Sequence, residues 1–196
     1  MDPGGPERVR QRELAILGDQ TRSATATALE YSILRVLHRD AVERELDLLA
    51  EAIAPRRGLN QLHWGGGTPT YLTPAQCERL LRSITDRFPL VGGAEVALEI
   101  DPCVTTREHL ETLRAAGFNR LSMGVQDTNP EVQDAVCRDQ PLELTRSHVE
   151  HARELGFASV NIDLIYGLPA QTESSFRDTV RTVVADLAPD RVACFS

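Results

Sequence analysis

The chain has 196 residues, of which 41% are apolar and 26% charged, with a formal net charge of −8. This is the balance of an ordinary soluble globular protein, one domain or part of a larger one. The acidic surplus argues against nucleic-acid binding, no apolar run nears the ~18 residues of a membrane span, and MDPGGPERVRQRELAILGD lacks a signal-peptide core, so a cytoplasmic location is expected.

Residues 1–39 read as irregular, rich in Pro, Gly, Arg and a Ser/Thr/Ala run, with YSILRVL at 31–37 as a short strand or helix start. From Asp40 the pattern becomes regular. Val42, Leu46, Leu49 and Ile53 recur at helical spacing, and Pro55 and Gly58 end that helix. Residues 59–64 predict a short strand, followed by Gly65-Gly66-Gly67. Thr73-Pro74 opens a helix to about Phe88. Residues 94–100 predict a strand. Thr105 or Thr106 caps the next helix, which Gly117 closes. A strand at 119–125 is followed by a loop or short helix, then by a helix over 142–155 stopped by Gly156. Residues 158–166 predict a strand. A helix over 172–187 turns Phe176, Val180, Val183 and Val184 inward, and 191–195 opens one more strand.

Strand, loop and helix thus repeat four times before a fifth strand. Strands joined through helices run parallel, which leaves a Rossmann-type sheet and a β/α barrel both open. A complete β/α barrel has about eight such units. From residue 40 on, this chain has about half of that and ends on what reads as an interior strand, with residues 1–39 outside the pattern.

Parallel α/β folds gather function at the C-terminal ends of their strands. After the first strand come the three glycines, read either as a tight turn or as backbone that a ligand approaches. After the second, Glu99 and Asp101 share a face; they are a solvated acidic pair or carboxylates suited to a hydroxyl-rich ligand such as ribose. Gln126 ends the third strand, as a turn cap or a ligand contact. Asp163 lies on the fourth among apolar residues and needs a partner, through either a structural network or a ligand. Arg138 is placed to meet such acids or to bind a carboxylate. His63 and His148 read as structural.

The four cysteines, Cys77, Cys103, Cys137 and Cys194, lie far apart with no C-x-x-C pair. They read as isolated thiols, neither a disulfide framework nor a metal site.

HWGGGTPTYL, LEIDP, GFNRLSMGVQD and NIDLIYGLPAQT, in that order and spacing, resemble the radical S-adenosylmethionine enzymes. Within them the match is to the oxygen-independent coproporphyrinogen III oxidases. The haem-chaperone-like branch is similar, but His63-Trp64, Asp101-Pro102 and Met123 favour the oxidases. The resemblance implies a partial (β/α) barrel over residues 40–196, incomplete at both ends, with S-adenosylmethionine and a 4Fe-4S cluster as cofactors. It implies oxidative decarboxylation of coproporphyrinogen III to protoporphyrinogen IX, begun by a 5′-deoxyadenosyl radical, in a protein that is a monomer when intact. Gly66, Gly67 and Thr68 would hold the methionine end of S-adenosylmethionine, with Glu99 beside them. Gln126, Arg138 and Asp163 match positions that complete that site. No catalytic residue is assigned.

Two departures follow. The family's C-x-x-x-C-x-x-C motif is expected ahead of residue 40, yet no cysteine precedes Cys77, so no metal ligand is assigned. The family also favours V-N-R-x-Q where this chain has Val136-Cys137-Arg138-Asp139-Gln140. The expectation is a fragment or degenerate form of the oxidase, inactive alone. The alternative is a non-catalytic module that binds S-adenosylmethionine or a porphyrin.

Overall fold

A computed structural model describes residues 39–53 and 58–196. The expectations for residues 1–38, including YSILRVL, lie outside the described residues. Helix α1 (Arg39–Ala52) precedes strand β1 (Leu59–Trp64). Then come α2 (Pro74–Thr85), β2 (Leu90–Ile100), α3 (Arg107–Ala116), β3 (Arg120–Gln126) and α4 (Pro130–Ala135). The chain continues through α5 (Leu142–Glu154), β4 (Ser159–Ile165), α6 (Glu173–Thr182) and β5 (Arg191–Phe195).

All four strand pairings are parallel, and the strands lie side by side in sequence order, β1-β2-β3-β4-β5. This order decides between the two architectures. Right-handed crossovers that always step the same way leave every helix on one face of the sheet, and the sheet curls away from them. A Rossmann sheet reverses direction midway and has helices on both faces. The molecule is a five-stranded half-barrel.

Local chemistry sets the boundaries. Thr73, Thr106 and Thr172 each close a capping box at the start of α2, α3 and α6. Gly117 ends α3 at φ 114, a conformation that penalises a Cβ. Strand β2 starts earlier than the predicted residue 94, but its register jumps from Leu59↔Leu90 to Gln61↔Glu95. The glycine pair Gly92-Gly93 bulges out there, and the regular ladder starts at Glu95, close to the sequence reading.

Alternation then sorts the side chains. Val96, Leu98 and Ile100 of β2, Leu121, Met123 and Val125 of β3, and Val160, Ile162 and Leu164 of β4 are buried on the helix face. Leu110, Leu113, Val149, Val183 and Leu187 meet them from the helices. Trp64 joins this core edge-on to Phe118, ring centroids 4.9 Å apart. One inward residue was misread. Val184 is 57% exposed: α6 widens into a π-type turn over Val183–Leu187 that keeps Val183 inward as expected and buries Leu187 beside it.

Candidate functional site

The concave face carries the alternate residues. At its N-terminal end Glu95 Oε1 accepts hydrogen bonds from Gln61 Nε2 and Arg120, each at 2.8 Å, and Arg191 stands 3.9 Å from Oε2. Gln61 first, and Arg120 with it, hold the Glu95 carboxyl below the usual carboxylate range.

The C-terminal end is built by four loops. Trp64, pinned in the core, makes the chain leave β1 at a fixed angle into the glycines. A Cβ on Gly65 would lie 2.6 Å from Glu99 Oε1 and 2.8 Å from His63 Nε2, so a side chain there would displace both groups. Gly66 and Gly67 follow at φ 80 and 72, the left-handed region that suits glycine. The Gly66 amide donates to Glu99 Oε2 at 3.2 Å, and His63 Nε2 lies 3.3 Å from Glu99 Oε1. Thr68 begins a 3₁₀ turn over Pro69–Tyr71, its carbonyl accepting from the Tyr71 amide at 3.0 Å. Thr70 pairs with Thr105 at 2.8 Å, and His109 Nε2 bonds Leu72 O at 2.8 Å. The glycine loop is thereby fastened to the start of α3.

Arg138 is delivered by the end of α4. The Cys137 amide donates to Asp134 O and the Arg138 amide to Gln133 O, with Cys137 left-handed at φ 55. This is a Schellman closure, whose left-handed position favours Gly or Asn. It gives a physical reason for the family's asparagine at that position. Arg138 then donates from Nη2 to Gly124 O at 2.7 Å and from Nε to Gln140 Oε1 at 2.8 Å. The acid it meets is Asp101, at 3.6 Å, and no contact joins it to Asp163.

Asp163 has structural partners: Ser122 Oγ donates to Oδ2 at 2.8 Å and Asn161 Nδ2 to Oδ1 at 2.6 Å. Burial pushes its carboxyl up, and nearby Glu99 adds to the rise against these two donors. Gln126 is left-handed at φ 69 where the β3–β4 register shifts, and its Oε1 is buried without a partner. Gly124 makes room for it, since a Cβ there would come within 3.0 Å of Gln126 Nε2.

All seven predicted site residues therefore line the C-terminal rim or the concave face. His63 sits there too, its side chain half exposed, and not in the core. His148 is buried between Leu144 O and Thr105 O, as a structural histidine would be. Sequence reasoning overlooked Ser122, although period-two alternation from Gly124 marks its face. It also passed over Asp127, 1% exposed, which gathers four hydrogen-bond donors.

The chain matches the radical SAM superfamily model over residues 29–183. It belongs to the radical SAM superfamily. Among curated relatives of this radical SAM chain, the oxygen-independent coproporphyrinogen III oxidase of Escherichia coli is 51% identical over 157 residues, 80% of this chain and 34% of that protein. The Synechocystis enzyme of the same name is 47% identical, over 80% of this chain and 33% of its own length. The chain thus spans about a third of these relatives. The solved structure of the E. coli oxidase, itself described as a radical SAM enzyme, superimposes with a TM-score of 0.75 at 51% identity, covering 80% of this chain and 36% of that one. A radical S-adenosylmethionine methyltransferase from Kitasatospora setae shares the fold at 19% identity and a TM-score of 0.58.

The superfamily implies S-adenosylmethionine and a 4Fe-4S cluster, and the two fare differently in this chain. The buried, unpartnered Gln126 Oε1 and the left-handed glycines Gly66 and Gly67 are consistent with a ligand at the rim. A cluster does not fit the cysteines present. Cys77 is buried in α2, its thiol pushed up to about 11 by burial; the other three lie after β2, after α4 and on β5. Among the described residues no three His, Cys, Asp or Glu group to hold a metal, and no helix is long and apolar enough to cross a membrane.

Proposed function

We propose that this chain is the S-adenosylmethionine-binding half-barrel of an oxygen-independent coproporphyrinogen III oxidase, in fragment or degenerate form. Gly66, Gly67, Thr68 and Glu99 are assigned to the methionine end, where backbone amides and a carboxylate match an amino acid's charged groups. Gln126, Arg138 and Asp163 are assigned to the rest of the molecule. The observation that carries the reading is Glu99, which touches the left-handed glycine loop at 3.2 Å while part of its side chain remains open to solvent.

In an intact radical enzyme, S-adenosylmethionine supplies the 5′-deoxyadenosyl radical once a cluster reduces it. No radical step is assigned to this chain, since its thiols do not fit a cluster. Its own residues bind and orient. Coproporphyrinogen III as substrate, a cytoplasmic location, a monomeric state and the barrel boundary at residue 40 belong to the same proposal.

Anaerobic reconstitution with iron and sulfide tests it. The expected result is no cluster absorption band, no 5′-deoxyadenosine released, and saturable binding of S-adenosylmethionine. A cluster band with cofactor cleavage would overturn the non-catalytic reading, and the absence of binding heat would overturn the pocket.

A further inference from the structure

Gln126 is held in a conformation that its own chemistry does not favour. The Asp127 amide donates to Val125 O at 2.8 Å across Gln126, whose φ is 69. A hydrogen bond spanning one residue of positive φ is a γ-turn of the rare, strained kind. Such strain is unfavourable and persists only where the surroundings over-determine it. The surroundings are visible. Asp127 Oδ1 accepts from Thr179 Oγ1 at 2.5 Å and from the Asn129 amide at 2.7 Å. Its Oδ2 accepts from Gln171 Nε2 at 2.6 Å, and its carbonyl accepts from Gln133 Nε2 at 2.8 Å. Gln171 in turn bonds Ile165 O and the Gly167 amide, tying in the end of β4. On the other side of the turn, Arg138 grips Gly124 O. The strained residue is the same one whose buried Oε1 lacks a partner.

We propose that Asp127 is a positioning residue that, through Thr179 and Gln171, holds Gln126 in its left-handed turn and so fixes the Gln126 side chain at the rim where the ligand would sit. Asp127 touches no ligand itself. It makes the rims of β3 and β4 one rigid body, and the strain at Gln126 is the cost of that placement. The ligand part rests on the S-adenosylmethionine reading, while the strain part stands alone.

Two measurements test it. In urea unfolding, Gln126→Gly should raise the midpoint in the parent chain and give no gain when combined with Asp127→Asn. An equal gain in both backgrounds would show that Asp127 does not hold the turn. In calorimetry with S-adenosylmethionine, Asp127→Asn, Gln171→Ala and Thr179→Val should each weaken binding about tenfold or more. Thr179→Ser, which keeps the hydroxyl, should restore it. Asp190→Asn is the control, since Asp190 holds the Val160 amide at the opposite end of the sheet. It should cost stability without weakening the ligand, and an equal loss of affinity in this control would reduce Asp127 to a structural role. If Asp127→Asn does not fold, Gln171→Ala combined with Gln126→Gly carries the same cycle. If the parent chain shows no binding heat, the S-adenosylmethionine reading fails, and the unfolding cycle still decides whether Asp127 holds the turn.

Discussion

The two ends of the concave face are made from the same kinds of residue and treat them in opposite ways. At the N-terminal end Glu95 is bonded to Gln61 and Arg120, and its carboxyl is held low. At the C-terminal end Asp163 is held high, Gln126 carries an unmatched oxygen, and glycines stand in left-handed backbone. A network that is satisfied stabilises; one left incomplete costs free energy unless a ligand completes it. The difference supports reading the N-terminal layer as structural and the C-terminal rim as the place of the proposed ligand.

Variants at the two ends should therefore separate stability from binding. Arg120→Met removes the hydrogen-bonded cation of Glu95 and leaves only the more distant Arg191, and should cost about 1–3 kcal/mol in urea unfolding while S-adenosylmethionine affinity stays unchanged. A loss of affinity as large as the loss of stability would erase the distinction. Glu99→Gln should do the reverse. It removes the charge beside the Gly66 amide, so affinity should fall about tenfold, or 1.4 kcal/mol, with stability within about 0.5 kcal/mol of the parent.

Cys137→Asn sharpens the picture at the rim, because the closing residue of α4 stands in left-handed backbone, which Asn adopts more readily. It should raise stability by up to about 1 kcal/mol and leave binding intact. A lower unfolding midpoint would count against that account.

The smallest effect is in the acid limb of stability. Glu95 has a depressed folded pKa, so its contribution is present above the usual carboxylate range and is lost as pH falls through the depressed value. Asp163 has a raised folded pKa, so its contribution is present below the usual range and is lost as pH rises through the raised value. Glu95→Gln should make the rise of stability with pH shallower, and Asp163→Asn should make it steeper. Shifts of the same sign in both variants would contradict the contrast between the ends.

Much of this was readable from the chain. Short runs between helix and turn signals located β1, β3, β4 and β5 within a residue or so, and Thr and Gly marked the helix ends because capping is local chemistry. Strand order was not readable, since periodicity says nothing about which strand neighbours which; the residues alone left the barrel and the Rossmann sheet open, and the family resemblance pointed to the barrel that the pairings show. The seven rim residues came from following each strand to its end and from the family resemblance together. The turn at Gln126 escaped because no Gly or Asn announces its positive φ; tertiary bonds to Asp127 impose it. Val184 escaped because a π-type turn breaks the helical period that placed it inward. Asp127 escaped because a carboxyl after a strand reads as a turn cap, and only the fold brings Gln171 and Thr179 to it.

The central claim is that the rim binds S-adenosylmethionine through Glu99 although this chain has no thiols suited to a cluster. Titration calorimetry of S-adenosylmethionine into the parent chain and into Glu99→Gln addresses it most directly. The account predicts saturable one-to-one binding by the parent and about tenfold weaker binding by the variant. No heat from the parent, or equal affinity in both proteins, would contradict it.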